Sequence, residues 1–237
     1  MKNLQLYPRL FAFIALGFVI ATIVGTVSHE MGHIAIAKSL GYRTILYYDS
    51  MDYNMGDKMD ALGTYYDKHH DKIIARGNSP EKKFFNEKFA QLNTDGNLVT
   101  WGGPLQTMIT GTIGLAALWF RRKKIAAVGM KAADWLSVIL AFFWSRQLCN
   151  FLMGCLHFIK RHRWGDHDDE SRLSLYMRLP VVTVGAVTGI IATAILSYVV
   201  FYIVPKQQRL TFIVAGAAGS ILGWVVWMEW IGPVVLP

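Results

Sequence analysis

Thr26-Val27-Ser28-His29-Glu30-Met31-Gly32-His33-Ile34-Ala35 follows directly on a segment, Leu10 to Val27, that holds no charged residue. An apolar run of that length predicts a membrane-spanning helix. In a helix, four residues advance about 6 Å and return to nearly the same azimuth, so His29 and His33 present two imidazoles to one point. That pattern suits a zinc ion. Glu30 lies about 100° round from His29, close enough for its carboxylate to take a proton from a metal-bound water. Placing His-Glu-His at membrane depth is costly unless the groups are paired or metal-bound. The competing reading is a polar helix end whose histidines meet headgroups or water.

The whole chain agrees with a membrane setting. Of its 237 residues, 53% are hydrophobic and 17% charged, which points to an all-α polytopic membrane protein. The net charge of +8 gathers at the ends of apolar runs, as at Arg121-Arg122-Lys123-Lys124 and Lys160-Arg161-His162-Arg163, where it anchors spans against anionic headgroups. No aromatic and basic module accompanies this charge, so a nucleic-acid partner is not expected. Cys149 and Cys155 are six apart in an apolar segment, which gives neither a C-x-x-C pair nor a disulfide framework. Lys2 and Arg9 precede the first apolar run as in a signal peptide, but that run is long and carries the histidines, so it is expected to be retained.

About five spans are expected in one domain covering 1–237. The first runs from about Leu10 to Leu40 and ends at Gly41. Residues 42–97 form the largest extramembrane element, with β-like pieces such as Thr44-Ile45-Leu46-Tyr47-Tyr48. Within it, Lys82 to Leu92 has the apolar spacing of an amphipathic helix, lying on the membrane or over the site, or covering the loop's own small core. His69 and His70 are not expected to be ligands, because adjacent histidines on a regular element point apart.

The section 98–178 carries two spans and an acidic loop. The second span, about Leu98 to Phe120, opens with Trp101-Gly102-Gly103-Pro104. Glycine before proline there predicts either a local break that turns backbone toward a cavity or a proline opening the helix, with small residues for close packing. Gln106, one turn on, is placed to hydrogen-bond a ligand or a substrate backbone. The third span, about Ala132 to Ile159, carries Ser145, Arg146, Gln147 and Asn150 in apolar surroundings, and a buried Arg146 needs a carboxylate or carbonyl partner. Trp164-Gly165-Asp166-His167-Asp168-Asp169-Glu170 follows, a run that on its own reads as a solvated loop and helix cap. The section 179–237 holds spans four and five, about Val181 to Val204 and Leu210 to Ile231. There Gly185-x-x-x-Gly189 and Gly219-x-x-x-Gly223 permit close helix approach.

Counting crossings brings these stretches together. The first span ends at the face where residues 42–97 sit, the second leaves from it and the third returns to it. His29 and His33, the Gly-Gly-Pro stretch and the acidic run therefore share one side, where an aspartate would complete a His₂Asp set with one position left for water.

The combination His29-Glu30-x-x-His33, Gly103-Pro104-Leu105-Gln106 and Asp169-Glu170-Ser171-Arg172-Leu173-Ser174 resembles the site-2-protease-type (M50-like) intramembrane zinc metallopeptidases, in particular compact bacterial members. The resemblance covers the core of spans one to three. It implies Zn²⁺ held by His29, His33 and Asp169, with Asp166 and Asp168 as the other candidates, Glu30 as catalytic base, and an integral protein of the bacterial inner (cytoplasmic) membrane. Two features depart from the family pattern: no Leu-Asp-Gly surrounds the distal aspartate, and Gln106 stands where asparagine is usual. No PDZ-like or CBS-like module is recognisable in the sequence.

These readings predict hydrolysis of peptide bonds in membrane protein or peptide substrates, with Gly102, Gly103, Pro104 and Gln106 holding the substrate as an added strand. A zinc hydrolase acting on a lipid or a modified peptide is the alternative, because H-E-x-x-H fixes metal chemistry and not the acyl group. A non-catalytic binding protein with a degenerate site is a third reading, against which the intact Glu30 argues. Short-loop basic charge directs the motif side outward, whereas the resemblance directs it to the cytosol.

Overall fold

The computed structural model describes residues 6–165 and 168–237. Its elements are helices joined by short turns, plus one two-stranded hairpin. Four helical segments are long and apolar enough to cross a membrane: Pro8–Ser39, Ala132–Arg161, Thr183–Ile203 and Lys206–Val235. Large apolar side chains point outward along them and their neighbours: Ile113, Ile190 and Ile221 are each more than 60% exposed. A lipid-facing surface requires this arrangement.

Helix α1 (Pro8–Ser39) opens with proline at its first turn, where the missing N–H costs nothing. It ends at Gly41, whose φ of 83° is natural for glycine. The Gly41 N–H reaches the Lys38 carbonyl at 3.0 Å and the Tyr42 N–H reaches that of Ala37 at 3.0 Å, a Schellman stop. Strands β1 (Thr44–Leu46) and β2 (Met51–Tyr53) form an antiparallel hairpin. Helix α2 (Gly56–Ile74) follows.

Helix α3 runs unbroken from Pro80 to Val128. It begins where the Ser79 side chain accepts the Lys82 N–H at 3.0 Å. The amphipathic Lys82–Leu92 stretch and the second span are thus one helix, and Pro104 neither opens nor breaks it. The intervening Asn93-Thr94-Asp95-Gly96-Asn97 contains no proline and turns no corner. Asp95 is instead buried as the acceptor of the Tyr42 hydroxyl at 2.5 Å. Before that point α3 pairs with α2, ring on ring: Tyr65 with Phe84 and Tyr66 with Phe85, centroids 4.6 and 5.3 Å apart. Phe84 and Phe89 stay more than 40% exposed, so this stretch covers the α2 face and leaves apolar surface outward as well.

The third span is α4 (Ala132–Ala141), a 3₁₀ turn (Phe142–Trp144) and α5 (Ser145–Arg161). A short helix α6 (Asp169–Tyr176), α7 (Thr183–Tyr198), α8 (Arg209–Val225) and α9 (Gly232–Val235) complete the chain.

Packing sets the direction of each pass. A Cβ on Gly219 would collide with Ala15 backbone, and one on Gly223 would crowd Val19, so the small-residue stripe of α8 lies on α1 and the two run parallel. Helix α3 runs antiparallel to α1, with Thr107 opposite His29, Val99 opposite His33, and Leu118 in the same buried cluster as Ile14. It therefore runs alongside the full depth of α1 beside the four apolar spans, although its own apolar part is diluted by Gly, Thr and Gln. The expected stripe on α7 packs less symmetrically: Gly189 meets the Phe151 ring, while Gly185 only approaches Glu170.

Candidate metal centre

Three elements converge about two-thirds of the way along α1. His29 and His33 sit one turn apart and are buried, His29 being 1% exposed. They meet α3 where the helices nearly touch: a Cβ on Gly32 would collide with the Gly102 carbonyl, and one on Gly102 with Gly32. Gly103 is more telling still. A Cβ there would fall on the Nε2 atoms of both histidines, so only glycine lets the two rings turn under α3. Gly102 and Gly103 are buried and helical, as the close-packing reading of the Gly-Gly-Pro stretch has it and not the unwound entrance. The proline-bearing turn serves helix contact, and its amides are not offered as a strand edge.

Each imidazole is held by its other nitrogen. His33 Nδ1 lies 2.7 Å from the Val99 carbonyl oxygen, and His29 Nδ1 lies 2.9 Å from the Thr107 hydroxyl. A carbonyl can only accept, so neutral His33 carries its proton on Nδ1 and turns the Nε2 lone pair inward. With the Thr107 hydroxyl accepting from His29 Nδ1, the tautomer a metal ligand at Nε2 requires, His29 turns its Nε2 lone pair inward as well.

The inward atoms meet the first turn of α6. Asp169 Oδ2 is 3.1 Å from His29 Nε2 and 3.3 Å from His33 Nε2, and the two nitrogens are 3.3 Å apart. Two lone-pair nitrogens and a carboxylate oxygen thus face one another. A cation relieves that arrangement, and the spacing suits one: donors at the corners of a tetrahedron around zinc, about 2.0–2.1 Å from it, stand about 3.3–3.4 Å apart. The residues present fit a zinc ion. Glu30 is buried beside them, with a carboxylate oxygen and a ring nitrogen of each histidine all within 4.8 Å of one another.

The other acidic residues of the run take different places. Asp168 caps α6, its side chain accepting the Ser171 N–H at 2.7 Å, and Asp166 lies outside the described residues. Glu170 is buried and accepts from Asn150 at 3.1 Å. His69 and His70 stand on α2, against Tyr65 and Tyr66, away from the site. The Gln106 side chain donates to Thr110 on its own helix at 3.0 Å.

Comparison with known proteins finds no matching family model, no matching curated protein and no matching solved structure. The family resemblance therefore rests on the motif residues alone.

Thr107 and the Val99 carbonyl, which orient the rings, carried no signal of their own in the sequence; they are found by stepping one helical turn either way from Gly103. Thr107 also lines a cavity of about 550 Å³ between α1, the α4–α5 span and α8, with Arg146 at the same end. The Arg146 Nε is shut away from solvent without a hydrogen-bond partner among the described residues.

Proposed function

We propose that this chain is a zinc hydrolase working within the membrane, and that it cleaves peptide bonds of membrane protein or peptide substrates. The observation that carries the reading is the convergence of His29 Nε2, His33 Nε2 and Asp169 Oδ2 at 3.1–3.3 Å beside a buried Glu30. Zinc, when bound, lowers the pKa of a bound water toward ~7 and polarises a scissile carbonyl. His29 and His33 supply neutral nitrogens, fixed by Thr107 and Val99, and Asp169 supplies the charge that favours a cation. Glu30 takes the proton of the attacking water and returns it to the leaving amine. The tight α1–α3 crossing at Gly32, Gly102 and Gly103 excludes water from the side of the rings that faces α3. The resemblance to compact bacterial M50-like peptidases supports this assignment and a place in the bacterial inner membrane.

The test is metal content and turnover together. Purified protein is expected to hold about one zinc per chain by elemental analysis and to cut a transmembrane peptide. Glu30→Gln is expected to keep the zinc and lose about 10²–10⁴-fold in rate, the usual worth of a positioned base. A Glu30→Gln protein that cuts as fast as the parent overturns the assignment.

A second reading, hydrolysis of a lipid or acyl-modified substrate by the same centre, is favoured by the apolar cavity that adjoins Thr107. Presenting lipid and peptide substrates to the same preparation separates the two.

A further inference from the structure

The cavity beside the metal centre has one polar end and one long apolar wall. Along α1 it follows Thr26, Thr22 and Phe18, eight residues or about 12 Å of helix, leading away from His29. Ile139, Phe212 and Val200 also line it, packed in the apolar cluster around Phe18. The hydroxyls of Thr22 and Thr26 donate to carbonyls of their own helix, at 2.8 and 3.0 Å, so that wall offers an occupant no free hydrogen-bond donor. At the near end Thr107, Ser145 and Arg146 gather. Arg146 stands within electrostatic reach of His29 and Glu30, and its Nε has no partner among the described residues.

Two features of an occupant follow. An extended polypeptide laid along the slot would bring a carbonyl at every residue to a wall with no free donor, at a cost of several kcal/mol per group in hydrocarbon. An acyl chain brings none. The Arg146 guanidinium at the near end, with an N–H unmet among the described residues, suits an oxyanion at the head of that chain. The volume of about 550 Å³ lies within the ordinary range for a small-ligand pocket.

We propose that the slot between α1, the α4–α5 span and α8 holds a single-chain anionic lipid, its carboxylate or phosphate on Arg146 and its chain running along α1 toward Phe18. The head then lies next to Thr107 and the histidines. As a statement of binding this stands on the cavity and Arg146; as a statement of substrate class it rests on the second reading of the metal centre.

The experiment uses the full chain in lipid nanodiscs and a long-chain fatty acid with a photoreactive group on the chain. The label is expected on residues lining the slot. Arg146→Met is expected to weaken fatty-acid binding about 10- to 100-fold, the range for losing a charge-assisted hydrogen bond, to leave the matching fatty alcohol unaffected, and to be partly rescued by Arg146→Lys. Ser220→Trp, or the milder Ser220→Leu, fills the slot and is expected to block acid and alcohol alike, with thermal melting as the check on folding. A monoacylglycerol phosphate in a parallel arm tells a phosphate head from a carboxylate. Equal fatty-acid binding by Arg146→Met and the parent overturns the proposal, as does displacement of the label by an apolar peptide. His29→Ala is expected to lose zinc and keep the label. Zinc-free parent protein that still labels the slot would sink the hydrolase reading alone, and zinc-loaded protein with an unlabelled slot would sink the lipid proposal alone.

Discussion

Thr107 decides how His29 faces the centre, although nothing about a threonine in an apolar helix announces such a role. Its hydroxyl holds His29 Nδ1 at 2.9 Å, and partners of this kind commonly set metal affinity through the orientation and tautomer of the ligand. Thr107→Val keeps the shape and removes the hydroxyl. Zinc affinity, read by chelator competition, is expected to fall about 10–100-fold while the thermal midpoint changes little. The choice among aspartates belongs to the same scale. Asp166, Asp168 and Asp169 carry the same chemical group, and the sequence ranks them only by resemblance. Their places diverge because α6 starts at Asp169: the residue before the start turns its side chain onto the free N–H of Ser171, while the first helical residue projects toward α1.

At the scale of elements, α3 departs most from the sequence reading. The polar Asn93–Asn97 stretch reads as the end of a loop, yet it continues the helix because its one acidic residue has a tertiary partner. Tyr42, just past the Gly41 stop, donates to Asp95 at 2.5 Å, and Lys58 stands 3.8 Å from the same carboxylate. This joint ties the end of α1 to α3 and to the start of α2. Burial and the Asp95 carboxylate both push the Tyr42 phenol up. The folded protein thus keeps a proton that the unfolded chain releases near pH ~10. The joint's contribution is complete below that pH and is lost as pH rises toward the raised folded value. Melting between about pH 8 and 11 is expected to show a steeper alkaline loss of stability in the parent than in Tyr42→Phe. At neutral pH the variant is expected to be less stable by about 1–3 kcal/mol, for a buried hydrogen bond to a charged group.

For the whole molecule, the antiparallel run of α3 along α1 puts α2, the hairpin and the C-terminal end of the chain on one face. The Trp227 indole donates to the Tyr48 carbonyl at 2.7 Å, and the Tyr48 N–H to that of Leu236 at 3.0 Å. On the opposite face lies the Arg121–Lys124 cluster, where Arg121 pairs with buried Asp134 and Arg122 stacks on Trp119. With Cys149 and Cys155 replaced by serine, a cysteine at His70 and one at Lys123 are expected to react with a membrane-impermeant thiol reagent from opposite sides. Labelling of both from one side would remove α3 as a crossing. The sequence by itself determined the helical membrane class, the stop at Gly41, the small-residue contact of α8 and the pairing of His29 with His33. Those follow from periodicity, charge exclusion and backbone freedom, which act within a few residues. Only the tertiary structure decided which aspartate meets the histidines, what orients their rings, that Gly103 makes room for them, and that Arg146 faces a cavity. Those depend on distances between segments some seventy or more residues apart, which local spacing does not encode.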